Sequence, residues 1–173
     1  MLTTLKYRFR MPDIIVPNPQ QELNLKKLEL SALLEITKAI NENMPEGALY
    51  KIYRFTLLAQ LQISRLTLFV HDERWECKVC AGTEVDFSKA SLPEEILDLK
   101  EITKVSKLKV DKKWRCFDIV IPVLHNGKVL AFVMIGKLQS FYNNADALNF
   151  LQTISNIMLV AIEHHRLARQ RLA

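Results

Sequence analysis

The stretch VIPVLHNGKVLAFVMIGK, Val120 to Lys137, constrains the fold more than any other part of the 173-residue chain. Asn126-Gly127 separates two apolar arms, and both residues tolerate the positive φ that a tight type I′ turn demands. A turn closed by His125 and Lys128 predicts that Val123 pairs with Leu130 and Ile121 with Phe132, these four sharing one face of a sheet. Leu124, Val129, Pro122 and Ala131 then share the other. Neither face is polar, so the hairpin must be covered on both sides. That puts it in the middle of a sheet with helices or closed loops above and below.

The composition, 49% hydrophobic and 25% charged, is that of one ordinary globular domain with a proper core. The longest apolar runs, Ile119–Leu124 and Val129–Ile135, are too short to span a bilayer. The first twenty residues hold no apolar segment of signal-peptide length. Three cysteines, an odd number, fit a reducing cytosol better than a disulfide scaffold, so a cytoplasmic location is expected. The net charge of +5 comes largely from KEITKVSKLKVDKKWR, Lys100 to Arg115. The alternation in KLKV predicts an edge strand with lysines outward and Leu108 and Val110 inward, which protects an edge against pairing. A nucleic-acid stripe needs aromatic stacking partners, and these are sparse here.

Three prolines in the first twenty residues read as an extended arm. QELNLKKLELSALLEITKAINENM follows as a helix of good formers. It has two apolar stripes: Leu25, Leu28, Ala32 and Ile36 on one, and Leu23, Leu30, Leu34 and Ile40 near the other. So wide a face predicts that one side packs inward and the other meets a second helix or chain. After Pro45-Glu46-Gly47, a second helix places Leu49, Ile52, Tyr53 and Thr56 at helical spacing. RLTLFVHDERWECKVCAG switches to strand period, turning at His71–Arg74. LPEEILDL is a short helix with Ser91 placed as its cap and Glu94 three residues on. NNADALNFLQTISNIMLVAIEHHRLARQRLA closes the chain as a long helix with a stripe at Leu148, Leu151, Ile154, Met158, Ala161 and Ile162. The expected class is α+β: a mostly antiparallel sheet, terminal helices on one face, and a loop and short-helix region on the other.

Three stretches resemble a GAF domain. LLEITKAINENMPEGALYKIYRFTL is similar to the first helix, break and second helix of that family. IPVLHNGKVLAFVMIGK is similar to its central hairpin, with Ala131 where many members have glycine. DALNFLQTISNIMLVAIEHHRL is similar to its closing helix. The first helix and RLARQRLA most resemble the sensor region ahead of bacterial sporulation- and stress-type serine phosphatases. The resemblance implies a five- or six-stranded antiparallel sheet. It divides the chain into an arm at 1–20, one domain at 21–167, and the start of a connector helix at 168–173. It also implies terminal helices that pair into a homodimer, and a small-molecule pocket on the opposite face. Family ligands range from cyclic nucleotides and tetrapyrroles to metabolites or none. The Asn-Lys…Phe…Asp-Glu motif of cyclic-nucleotide binders is missing, as is a Cys-His pair to attach a bilin, so the cofactor stays unknown.

Little else reads as chemistry. Cys77 and Cys80 have C-x-x-C spacing, but residues three apart on a strand face opposite ways, so Cys77 is expected beside Trp75 and Val79, and Cys80 beside Glu76 and Lys78. No second pair completes a zinc site. Cys116 could approach either, which keeps a cysteine-dependent methionine sulfoxide reductase as an enzymatic alternative, beside a basic nucleic-acid-binding module. His164 and His165 diverge on their helix, while His125 flanks a turn and His71 ends a strand. Four glycines, Gly47, Gly82, Gly127 and Gly136, make no phosphate loop. The expectation is therefore a non-catalytic sensory module with an output domain C-terminal to it in a longer protein. Trp75, Cys77, Trp114 and Phe117 are its pocket candidates, Leu23, Leu30 and Leu167 its dimer contacts, and no residue is assigned to metal binding.

Overall fold

The computed structural model describes residues 19–138 and 144–172, so most of the N-terminal arm lies outside the described residues. Helix α1 is Pro19–Asn41. Proline at its first position forfeits only an N–H that has no helical partner there, and Glu22 and Lys38 sit at the ends that suit their charges. Pro45 stops the chain from continuing that helix, and α2 follows as Glu46–Phe55, prolonged by a π-helical turn at Thr56–Gln60. Strands β1 (Arg65–His71) and β2 (Trp75–Ala81) form a hairpin. A one-turn helix, α3 (Glu94–Leu97), precedes the two-residue strand β3 (Thr103–Lys104). Two 3-10 turns, Val105–Lys107 and Lys112–Cys116, lead to β4 (Ile119–His125) and β5 (Lys128–Gly136), and α4 (Ala145–Leu172) follows.

The five strands form one antiparallel sheet in the order β2-β1-β5-β4-β3. The hairpin sits inside it, as its two apolar faces require. Asn126 and Gly127 both have positive φ, 52° and 76°, and His125 faces Lys128. The pairing beyond differs from the expected one. Val123 faces Ala131 and Ile121 faces Val133, because Leu130 is an extra residue in β5. Leu130 and Ala131 both turn toward the helices, and Phe132 moves to the opposite face from Ile121. Alternation specifies register only where one face is polar; here both are apolar, so the pattern held no information on the bulge.

Two further expectations are corrected. KLKV is not a strand: β3 ends at Lys104, and Val105 and Val110 are instead anchored in the layer beneath the sheet. Leu108 and Val110 still turn inward while Lys107 and Lys109 stay exposed. Ser91 does not cap α3, which starts behind Pro93 without a side-chain cap. Proline's fixed φ and extended ψ delay the helix to Glu94.

Two cores sandwich the sheet. On one face α1, α2 and α4 bury Ala32, Ile36, Tyr53, Leu57, Ile154 and Met158 against Leu66, Leu68, Ile121 and Val133. On the other, the segment between β2 and β4 buries Phe87, Ile96, Val105, Trp114 and Phe117 against Phe69, Val120, Phe132 and Met134. Helix α4 has the length and hydropathy of a membrane span, yet its stripe at Leu151, Ile154, Met158 and Ile162 is part of the first core, and Arg166 near its end pairs with Glu46 and Asp72.

Candidate functional site

The layer beneath the sheet is built around aromatic rings. Trp114, on the second 3-10 turn, is 2% exposed and contacts Phe69 and Phe87, with centroids 5.9 and 4.9 Å away. Phe87 also meets Phe117 at 5.2 Å. Tilted rings at these distances match aromatic quadrupoles and fill volume efficiently. The interior of this face is therefore occupied by the chain's own side chains, and the open space lies at its margins.

The larger opening is a cleft of about 730 Å³ where β2 meets the segment 88–92 and α3. Its lining includes Arg74, Trp75, Glu76, Cys77, Leu92 and Leu97. Trp75 is positioned from both sides, by Phe132 at 5.1 Å and by His71 at 5.0 Å. Glu76 receives Lys78 Nζ at 2.8 Å and Arg74 Nε at 3.4 Å; the Lys78 hydrogen bond holds its carboxyl below the usual range. An aromatic wall and charges of both signs suit a small, partly apolar, polar-ended molecule.

A bulge in β2 reshapes this wall. Phe69 faces Cys77 and Leu68 faces Val79, so Lys78 is the unpaired residue. Downstream, Cys80 faces Thr67. Cys77 and Cys80 therefore both lie against the aromatic layer, while Val79 joins the helix-side core. The expectation that the two thiols face opposite ways is overturned, because the extra residue changes the parity of the strand. Burial, followed by the neighbouring Cys80, pushes the Cys77 thiol up to about 12. Cys116 packs against the same layer; burial raises its thiol too, with Cys80 a smaller contributor. Among the described residues no three His, Cys, Asp or Glu side chains form a metal-ligand group.

The structure thus divides the pocket candidates. Trp75 and Cys77 line the cleft. Trp114 fills the core, and Phe117 reaches a separate opening of about 380 Å³ with Lys104, Ser106, Arg115 and Asp118. Leu92, Leu97 and the 88–91 segment were not anticipated, since nothing local marks a loop that folds back over a strand. On the opposite side of the molecule, Leu23, Leu30 and Leu167 are 50%, 58% and 43% exposed. His125 and His164, distant in sequence, bring their rings to 6.4 Å.

No family model matches the sequence, and no curated protein matches it. Solved structures do match. The GAF domain of an Acinetobacter phosphoenolpyruvate-protein phosphotransferase aligns over 83% of this chain and 98% of its own, at 19% identity and TM-score 0.62. The phycoerythrobilin-bound GAF domain of a cyanobacterial phytochrome aligns over 83% and 99%, at 14% identity and TM-score 0.62. PelD 156-455 from Pseudomonas aeruginosa, solved in complex with c-di-GMP, aligns over 78% of this chain and 49% of its own, at 20% identity and TM-score 0.51. With its five-stranded antiparallel sheet and terminal helices packed on one face, the chain has the fold of a GAF domain.

Proposed function

We propose that this chain is a cytoplasmic, non-catalytic regulatory module that works as a homodimer, responds to a small molecule in the Trp75–Cys77 cleft, and controls an output domain C-terminal to it in a longer protein. One observation carries the reading. The outer face of α1 exposes Leu23, Leu30 and Leu34, with Leu30 seven residues after Leu23 and Leu34 four further on, the spacing of a two-helix seam. Leu167 adds a further exposed leucine on α4. A second copy covers identical stripes by symmetry. Helix α4 is in contact with the sheet and runs on past it, so a shift in its packing is the simplest outgoing signal.

The test is light scattering at high micromolar concentration. A dimer is expected, and replacing Leu23 and Leu30 together by Glu is expected to give a folded monomer. A wild-type monomer, or a dimer indifferent to that change, defeats the reading. In the longer protein, inserting one to four residues after Leu167 is expected to modulate output with helical periodicity.

A second reading, methionine sulfoxide reduction, draws support from the approach of the three cysteines. Against it stands the Cys77 thiol, held protonated where a nucleophile needs a lowered pKa. Turnover abolished by Cys→Ser changes would favour the enzyme.

A further inference from the structure

Cys77 and Cys80 share a face only because Lys78 is bulged out of the ladder. Their partners, Phe69 and Thr67, are two residues apart on β1. Two strand residues span about 6.8 Å, so the two cysteine Cα atoms sit near the upper end of the range a disulfide bridges, about 4.4–6.8 Å. A regular strand puts residues three apart on opposite faces, about 10 Å from one another, beyond any bridge.

We propose that Cys77 and Cys80 form a peroxide-oxidisable dithiol that closes to an intramolecular disulfide across the β2 bulge. Both thiols are half-buried rather than sealed, and Cys77 lines the open cleft, which gives a small hydroperoxide its approach. Cys80 is the residue attacked first. Its Sγ–H makes only a 3.4 Å contact to Thr83 Oγ1, whose own proton goes to the Val85 carbonyl at 2.7 Å, whereas the Cys77 Sγ–H donates to the Val79 carbonyl at 3.3 Å and is held protonated by burial.

The steps balance. The Cys80 thiolate attacks one peroxide oxygen, the O–O bond breaks, and the alcohol or water leaves with a proton; Cys80 becomes a sulfenic acid. The Cys77 sulfur then attacks the Cys80 sulfur, the S–O bond breaks, and the departing hydroxide takes the Cys77 proton as water. The peroxide gains two electrons and the dithiol loses two. Once Cys80 is a neutral sulfenic acid, its charge no longer opposes ionisation of Cys77. Cys116 packs against the same layer but is engaged elsewhere, its thiol donating to the Lys113 carbonyl at 3.3 Å. The closed bridge would fix the bulge and stiffen the cleft wall two residues from Trp75.

Lys78 makes the test direct. Trypsin cuts after Arg74, Lys78 and Lys89, so the bridge joins two separate peptides, WECK and VCAGTEVDFSK. The folded chain is treated with hydrogen peroxide, its free thiols blocked with maleimide, and the digest read by mass spectrometry. The expected result is a fall from three free thiols to one, with the WECK–VCAGTEVDFSK pair present and released by dithiothreitol. Cys116→Ser leaves that pair intact, and unfolding in urea before oxidation reduces its yield. Three thiols retained, singly over-oxidised cysteines, or a link from VCAGTEVDFSK to the Cys116 peptide CFDIVIPVLHNGK would each overturn the proposal. Dimerisation plays no part in this readout, so its failure and that of the regulatory reading are distinguishable.

Discussion

Gln152 on α4 donates its side-chain amide to the backbone carbonyl of Pro122 on β4, 2.9 Å away. One helical turn later, Asn156 donates to the carbonyl of Leu124 at 2.6 Å. Four residues of helix advance about 6 Å, close to the two-residue repeat of a strand, so the amides match alternate carbonyls. The outer edge of β4 is paired with β3 only at Ile119 and Val120, and Pro122 has no N–H to offer. A proline and two borrowed amides thus close an edge that would otherwise recruit strands.

Replacing Gln152 and Asn156 together by Leu is expected to cost about 1 kcal/mol per bond lost, read from urea unfolding. It should also raise the rate of aggregation on mild heating. Unchanged stability and light scattering would show that the edge needs no such cover.

The two tryptophans should behave differently. Trp114→Ala removes a fully buried ring between Phe69 and Phe87 and should cost about 3–5 kcal/mol. Trp75→Ala, on a half-buried cleft wall, should cost under about 2 kcal/mol while altering whatever the cleft binds. Equal losses would place Trp75 in the core.

Two glycines with positive φ test turn against packing. At Gly82 (φ +72°) an added Cβ would lie 1.9 Å from the backbone oxygen of Ser64, so Gly82→Ala is expected to leave little folded protein. At Gly127 (φ +76°) the Cβ meets nothing, and Gly127→Ala should cost only the left-handed strain of about 1–2 kcal/mol. Circular dichroism and thermal melts decide; similar outcomes at both would refute the steric account.

Alkaline pH should destabilise the fold. Burial, then the hydrogen bond to Glu46, raises the Tyr50 hydroxyl, and burial raises that of Tyr53; Cys77 is raised to about 12. Groups that hold their protons longer when folded contribute stability in full below their unfolded values, about 8.5 for Cys and 10 for Tyr, and lose it as pH rises toward the folded ones. The melting temperature is expected to hold to about pH 8.5 and decline above it, and Cys77→Ser should lessen the earliest part of the decline, to which Cys116, also raised by burial, contributes as well. A melting temperature constant from pH 8 to 11 would refute this.

The sheet's centre, its two covered faces and the order of helices and strands were legible because long periodic segments and an Asn-Gly turn state them locally. The two bulges were not. Leu130 sits where both faces are apolar, and Lys78 where the tract alternates only loosely, so a shift of one residue leaves the pattern as plausible as before. The thiol pair was misread for the same reason. Trp75 lines the cleft, Phe117 a separate opening, and Trp114 fills the core; the return of the 88–92 segment over β2 depends on contacts between Phe87 and Trp114, 27 residues apart, that no local window displays.

The extra residue at Leu130 carries a consequence for how such a domain can change by small steps. Without it Val129 would be followed directly by Ala131, and strict alternation would return with the pairs Val123–Ala131 and Ile121–Val133 unchanged. Losing Leu130 therefore removes one side chain from the helix-side core and leaves Phe132 and Met134 among the aromatic rings, Val133 and Ile135 under the helices. A residue gained or lost anywhere in the regular ladder would instead turn over every side chain beyond it. The bulge is thus the one place along β5 where the strand can change length and still keep its two layers sorted.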